Sequence, residues 1–457
     1  MKLTLLIAVA ALAAPALAQD PLDLPAAVQR ALTGHPSLTA AAARIAAAEA
    51  RRDQARSGYL PRLQYQESYQ RGNNPVYVFG ALLTQRQFNE SNFSIDSLNR
   101  PAALNNFQSQ LMAEQTLYDF GATRRGIHAA ELGQKLSEED RRGLELQVLT
   151  GVARAYHGVT LATEALKVAE EAKKSAEADL QRAEAVRDAG MATDADVLSV
   201  KVHLAAVEEQ RIRRRYDLEV SQAALNEALG LPLDTRHALV TPLTPALPAL
   251  DAALENLARE ERAEVRSARL NGELADAQAA LARAQLLPRI VTRGVFEANR
   301  QTFATRGGGN WMWMTSLQWN LFDGNRAKGQ AAEARHMAAS ARAQQRQMEN
   351  AVALEVRKAR ADVQSATERI GVSEAAVTQA EESLRILRNR YSAGLATMTD
   401  LLRAETALLE TKTRKLAAVY DQRMSAIALE RAAGTMNGAC NVLELTNFDG
   451  RRADGPG

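Results

Sequence analysis

AGMATDADVL at residues 189–198 and AGLATMTDLL at residues 393–402 are nearly the same ten letters written twice, 204 positions apart, each inside a long proline-free stretch. In both copies a glycine, Gly190 or Gly394, is followed three residues later by a threonine, Thr193 or Thr397, and three further on by an aspartate, Asp196 or Asp400. A glycine that adopts the left-handed conformation ends a helix. A threonine with an acidic residue at the third following position starts one, because hydroxyl and carboxylate together satisfy the first free amides and suit the positive end of the helix dipole. Each decapeptide therefore reads as a helix reversal, with Met191 and Ala192, or Leu395 and Ala396, between the stop and the start.

The repetition extends outward from these reversals. Before the second copy, Val352, Val356, Ala359, Val363, Ala366, Ile370, Val377, Ala380, Leu384, Leu387 and Tyr391 keep alternating steps of three and four, broken only by Ser373. Subtracting 204 gives Val148, Val152, Ala155, Val159, Ala162, Leu166, Ala169, Ala176, Leu180 and Ala183, again one apolar seam. A heptad sustained over this length predicts a coiled coil. The arms run over about 122–188 and 325–392, which at 1.5 Å per residue is about 100 Å of helix. LYDFG at 117 matches LFDG at 321, Gly230 matches Gly434, and residues 35–63 align without gaps to 262–290, both ending in Leu-Pro-Arg. The chain reads as an internal tandem duplication.

The order of segments follows. MKLTLLIAVAALAAPALAQD has Lys2, an apolar run from Leu3 to about Ala14 and Ala16-Leu17-Ala18 as a cleavage site, so residues 1–18 read as a signal peptide and the chain as exported. An anchoring helix fits less well, since the run is short and ends in Pro15. Residues 19–230 form the first repeat: a helix, a β-hairpin over 60–118 and a long helix hairpin with its tip at 189–196. Residues 231–258, with Pro232, Pro242, Pro245 and Pro248, are a linker. Residues 259–434 form the second repeat, with a β-hairpin over 287–322 and a tip at 393–400, and 435–457 are a tail. The first hairpin has the longer connection, within residues 71–107, expected to be a surface loop.

Composition excludes several function classes. With 46% hydrophobic and 24% charged residues the chain is of folded type, and 56 basic against 54 acidic side chains leave no field that would draw nucleic acid. A single cysteine, Cys440, rules out an internal disulfide framework and a multi-cysteine metal site. The histidines at 35, 128, 157, 203, 237 and 336 show no metal-ligand spacing, and no P-loop, H-E-x-x-H or G-x-S-x-G occurs. Neither an enzyme, a cofactor nor a metal is expected. Gly307-Gly308-Gly309 precedes a strand and reads as a hairpin tip.

NWMWMTSLQWNLF at 310–322 alternates, placing Trp311, Trp313, Thr315, Leu317, Trp319 and Leu321 on one face. Trp311 and Trp319 are about 26 Å apart along a strand, the separation of two aromatic belts at the interfaces of a membrane once barrel tilt is included. By itself the strand equally fits a half-buried strand of a soluble sandwich. The partner strands lie around 63–70, 108–118 and 290–299. Four strands cannot close a barrel of useful bore, so several chains must combine.

The motifs L-P before a strand, L-[YF]-D near the start of each long helix and [AG]-G-x-A-T-x-x-D-[VL]-L at each reversal, every one present twice and in order, resemble the TolC family of outer-membrane efflux proteins over nearly the whole chain after residue 18. The resemblance implies an α protein with membrane β: a homotrimer with one twelve-stranded β-barrel, four strands per chain, continued by an α-helical coiled-coil tunnel through the periplasm of a Gram-negative bacterium. It implies a passive exit duct in outer-membrane lipid, docked to a periplasmic adaptor and through it to an inner-membrane transporter. The docking tips would be Gly190, Met191, Ala192, Thr193, Gly394, Leu395, Ala396 and Thr397. Tyr391 and Asp196 match one gate link, and Asp400 one acidic ring. The sequence departs from the family at Ala396, where an arginine that helps hold the link is expected, and at Arg403, where a second acid is expected; Arg403 would partly neutralise the ring. The alternative is an exported coiled-coil scaffold or adaptor without a pore, against which the tryptophan-bearing strand argues.

Overall fold

Helix stops and starts divide the chain at the glycines and threonines quoted above. The computed structural model describes residues 21–246, 253–304 and 307–436. The expected signal peptide, Cys440 and the tail beyond Met436 lie outside the described residues. In order, the elements are β1 (Pro21–Leu22), α1 (Leu24–Gly34), α2 (Pro36–Arg56), β2 (Arg62–Gly72), α3 (Pro75–Thr84), α4 (Ile95–Asn99), β3 (Leu104–Tyr118), α5 (Ala122–Asp188), α6 (Asp194–Leu229), β4 (Ala238–Leu239), α7 (Leu254–Glu261), α8 (Ala263–Ala284), β5 (Arg289–Arg300), β6 (Gly308–Gln318), α9 (Arg326–Ser392) and α10 (Met398–Ala433). Two compact units result. A helical unit holds the described residues of Met1–Ala40, Arg142–Ala263 and Asn350–Gly457, and a sheet unit holds Ala41–Arg141 and Glu264–Glu349.

In the helical unit most of the apolar seam of each 67-residue helix is buried. On α5 the buried positions include Val148, Val152, Val159, Ala162, Ala169, Ala176 and Ala183; on α9, Val352, Val356, Ala359, Val363, Ala366, Ile370 and Leu384. Alanine at so many seam positions allows neighbouring backbones to come close, and leaves each contact worth less than a leucine pair. Larger side chains concentrate at one level, where Leu24, Val28, Leu149, Tyr156, Leu225 and Leu229 share a core. Full burial of each such side chain contributes about 1.5–3 kcal/mol. Tyr156 also ties the linker down. Its hydroxyl donates to the Leu22 carbonyl at 2.8 Å and accepts from the Thr241 N–H at 3.1 Å, beside the parallel pair β1 and β4.

Two polar anchors sit in the same unit. Gln422 accepts the Ala246 N–H through Oε1 at 2.8 Å and donates through Nε2 to the Ala246 carbonyl, so one side chain satisfies both backbone groups of a linker residue. Arg423 and His157 are wholly buried, and the Arg423 Nε donates to His157 Nε2 at 3.3 Å. Burial, with the Arg423 charge second, lowers the imidazole pKa to about 3, so the ring is neutral and free to accept.

The sheet unit contains one antiparallel sheet ordered β2-β3-β5-β6, in which β3 from the first repeat pairs with β5 from the second. The strands adjoin α2, α5, α8 and α9 at one end, and at the other β2 leads to β3 through 73–103 and β5 to β6 through 301–307. The connection between β2 and β3, expected to be a surface loop, is folded. Asn74 caps α3 and Pro75 opens it. Val78, Ala81 and Leu104 bury one another against Tyr77 and Leu82, and Phe88 packs edge-on to Phe79 and Phe93 at 4.9 and 5.1 Å. The physical reason is the apolar run VYVFGALL, long enough for two helical turns once an asparagine cap and a proline precede it.

Candidate functional site

The two helix reversals are built alike. Gly190 and Gly394 have φ of +76° and +73°. The Gly190 N–H donates to the Arg187 carbonyl at 2.8 Å and the Met191 N–H to Val186 at 3.0 Å; the Gly394 N–H donates to Tyr391 at 3.0 Å and the Leu395 N–H to Arg390 at 2.8 Å. This pair of bonds closes the last helical turn around a residue that only glycine fills without strain. At the restart, the Asp196 N–H donates to the Thr193 hydroxyl at 3.3 Å, while Asp196 Oδ2 accepts the Thr193 N–H at 2.9 Å and hydroxyl at 2.7 Å. Thr397 and Asp400 repeat the box. These bonds hold both carboxyls below the usual range: the Thr193 backbone acts first at Asp196 and the Thr397 hydroxyl first at Asp400, where the charges of Arg403 and Arg390 add to the effect.

Between stop and restart, Met191 is 76% and Leu395 68% exposed. A local contact closing the turn does not account for them. Ala192 and Ala396 are half-buried. Directly behind, Ala183, Val197, Val200, Leu384, Met398, Leu401 and Ala404 from all four long helices form one cluster, with Tyr391 packed against it. Tyr391 and Asp196 are electrostatic neighbours. Burial first and Asp196 second push the phenol pKa up. They are not hydrogen-bonded to each other: the Asp196 carboxylate serves its cap, and the enclosed Tyr391 Oη has no hydrogen-bond partner among the described residues. Arg403 is exposed.

A set of charged groups that sequence reasoning missed lies within the same helices. Asp179 on α5 and Glu405 on α10 are buried, and Arg388 on α9 reaches both: it pairs with Glu405 and lies 3.8 Å from Asp179. Arg388 also donates to the Ser175 hydroxyl, Ser175 donates to Glu405 at 3.1 Å, and Arg182 pairs with Asp179 at 2.5 Å. A cavity of about 200 Å³ adjoins, lined by Ser175, Leu384, Arg388, Glu405, Leu408 and Lys412 among others. Burial, with the Glu405 carboxylate next, pushes Asp179 up to about 6 against the opposing charges of Arg388 and Arg182. One signal was available: Glu405 falls four residues after Leu401 on the buried face of α10. Its partners come from two other helices, which no local pattern reveals.

The sheet is two-faced. Directly opposed residues on neighbouring strands share a face, so the register sorts every side chain. One face carries the rows Tyr65, Leu111, Phe296, Trp311 and Leu63, Ala113, Gly294, Trp313. Tyr65, Phe296, Trp311 and Trp313 are all more than half exposed, and the Trp313 ring lies over Gly294. The opposite face carries Gln66, Gln110, Glu297, Asn310 and Arg62, Glu114, Arg293, Met314. Arg293 pairs there with Glu114 at 2.5 Å. Trp319 follows β6 at its helix-bearing end, 56% exposed, with its indole N–H donating to the Leu286 carbonyl at 3.2 Å; Tyr118 and Phe322 are exposed near the same end. Over these rows an exposed apolar, aromatic face opposite a Gln/Glu/Arg face matches lipid on one side and water on the other, while farther along the same face Glu67 and Arg300 pair at 2.8 Å. No described helix is long and apolar enough to cross a membrane.

Comparison with known proteins points the same way. The sequence model of the family described as outer membrane efflux protein matches residues 27–231 and 254–435. The alkaline protease secretion protein AprF of Pseudomonas aeruginosa is 26% identical over 435 residues, covering 92% of this chain and 85% of that protein. The pyoverdine export outer membrane protein OpmQ of Pseudomonas putida is 26% identical over 410 residues, covering 87% and 82%. The fold is shared with the outer membrane protein VceC of Vibrio cholerae, with a TM-score of 0.75 at 22% identity over 90% of this chain and 96% of that one.

The pKa of Asp179 gives the helical unit a pH dependence of definite sign. A carboxyl whose pKa is raised by folding binds more protons folded than unfolded between its ordinary value near 3.8 and about 6, so stability falls as pH rises through that window. Thermal unfolding followed by circular dichroism between pH 4 and 7.5 should show Asp179→Asn losing less stability over this range than the wild type. Parallel curves for the two proteins would assign the dependence to other groups.

Proposed function

The chain belongs to the outer membrane efflux protein family and is an outer-membrane exit duct of a Gram-negative bacterium, and on that premise we propose how it assembles and engages its partners. Three protomers contribute β2, β3, β5 and β6 each to one twelve-stranded barrel, with β6 of one chain pairing antiparallel with β2 of the next. What carries this reading is the two-faced sheet. Its order leaves β2 and β6 as edges, and its aromatic face exposes Trp311 and Trp313 where a soluble protein would cover them. Trp311 and Trp319 then lie at the two membrane interfaces, the Gln/Glu/Arg face lines the pore, and the paired long helices continue as a periplasmic tunnel. The two halves, alike in element order and in their tip motifs, are the two copies of a tandem duplication. A scaffold without a pore has no use for the exposed aromatic face.

The tips are the adaptor-docking elements. Gly190, Met191, Ala192 and Thr193 in one reversal and Gly394, Leu395, Ala396 and Thr397 in the other hold Met191 and Leu395 in solvent on rigid, doubly capped turns, as a knob for a partner's groove requires. Energy and cargo come from the adaptor and an inner-membrane transporter; the relatives named above serve protease secretion and pyoverdine export. Asp196, Tyr391, Asp400 and Arg403 form the periplasmic gate. Arg403 three residues from Asp400 on α10 weakens the field of an acidic ring, and Ala396 removes one tether, so the closed state is held less firmly than in relatives with the full set.

Three outcomes test these assignments. The outer-membrane fraction should yield a heat-modifiable trimer that forms channels in planar bilayers; a monomer without conductance would remove the barrel. Replacing both Met191 and Leu395 by Glu should leave trimer and conductance intact while abolishing cross-linking to the co-purifying adaptor, and an unchanged cross-link would place docking elsewhere. In the same bilayers, block by divalent cations should be weak and change little in Asp400→Ala. Strong block abolished by that substitution would show that Arg403 does not neutralise the ring.

A further inference from the structure

The segment between β2 and β3 is fastened to the sheet at points a mere connection would not need. Gln85, at the end of α3, donates through Nε2 to the Asn105 carbonyl at 2.8 Å and to the Asn106 side chain at 2.9 Å. Asn106 Nδ2 in turn donates to Asn299 Oδ1 at 2.9 Å, completing an amide ladder from α3 across β3 to β5. All three side chains are buried, at 3%, 8% and 2% exposure. A buried amide left unbonded is costly, so the side-chain bonds of the ladder favour this docked position of α3, although Gln85 Oε1 and Asn299 Nδ2 at its ends are enclosed without a hydrogen-bond partner among the described residues.

The contact with β6 is closer still. Arg86 has φ of +57°, the left-handed conformation in which glycine ends the long helices. The Arg86 N–H donates to Leu83 and the Gln87 N–H to Leu82, the same closing turn, here with a side chain that is strained in it. That side chain spans to the sheet: Arg86 Nη2 donates to the Gly309 carbonyl at 3.0 Å. Beside it, a β-carbon at Gly308 would lie 2.0 Å from the Thr84 carbonyl oxygen, so the end of α3 rests on bare backbone. The polar face of the sheet is the side covered. Asn106 and Asn299 belong to the alternation that carries Gln110 and Glu297, and Gly308 stands opposite Asn299. The docked end is also the end of the strands away from α2, α5, α8 and α9.

We propose that residues 73–103 form a cap on the pore side of the outward rim, one per chain, which narrows the exit and sets the size of solute released. The inference rests on the barrel reading above, because that reading makes the polar face the pore wall. The cap is a folded body with its own aromatic cluster, Phe79, Phe88 and Phe93, so it occupies definite volume in the opening. Extracellular segments that fold into a barrel restrict its lumen.

Two variants test it in purified trimers. Gly308→Ala drives a β-carbon into the Thr84 carbonyl and should unseat the cap, and replacing residues 75–102 by a short glycine-serine turn removes it. Both should raise single-channel conductance roughly twofold and admit larger uncharged polymers into the pore. Increased proteolysis after Arg86 or Arg100 reports unseating in Gly308→Ala. Channels with wild-type conductance and polymer cut-off in the shortened protein, or in an unseated Gly308→Ala trimer, would overturn the cap. Failure of the wild type to form trimers or channels would instead sink the barrel on which the cap depends.

Discussion

An antiparallel sheet of four strands ends in two rows of backbone groups without partners, and in hydrocarbon each such group costs several kcal/mol. The sheet β2-β3-β5-β6 has those rows at β2 and β6, together with an aromatic face that water does not favour. Closure with further copies would pair both edges, since an even number of strands per chain keeps every new pair antiparallel, and lipid around the closed sheet would cover the aromatic face. The proposed barrel and its pore rest on this constraint. In that proposed arrangement the aromatic rows toward lipid are constrained to stay apolar, while the Gln/Glu/Arg face is free to vary with what passes.

The helical unit meets a different constraint. A 67-residue helix cannot rest on intrinsic propensity and must be packed along its length. The chain does this with a narrow seam of valines and alanines and reserves large side chains for the level of Tyr156 and for the cluster behind the tips. Thin seams between such clusters bury little apolar area per turn, so the charged groups among them matter. Asp179, Glu405 and Arg388 link three helices near the tips at the price of desolvation. Buried pairs of this kind add little net stability, while removal of one partner leaves an uncompensated charge.

Much of this was legible in one dimension. The capped reversals could be read because their signals, Gly190 with Thr193 and Asp196 and Gly394 with Thr397 and Asp400, act within a few residues. The seam could be read because heptad spacing is a local property, and the family because its motifs recur in order. The folded segment at 73–103 is hidden in one dimension by its position: the apolar run of α3 sits inside a long connection, and the segment's partners lie on β3 and, far away in the chain, on β5 and β6.

The sequence by itself therefore determined the helices, their reversals, the alternation that marks a strand with two faces and the family to which the chain belongs, since all of these are written in spacings of two, three, four and seven residues. Tertiary structure alone decided which strands are neighbours, which carboxylates are buried beside Arg388, and where Gln85, Asn106 and Asn299 meet. The physical reason is range. Caps and periodicity are satisfied along the chain, whereas a buried charge or amide must find its partner across space, and the energy that selects the partner exists only once both are out of water.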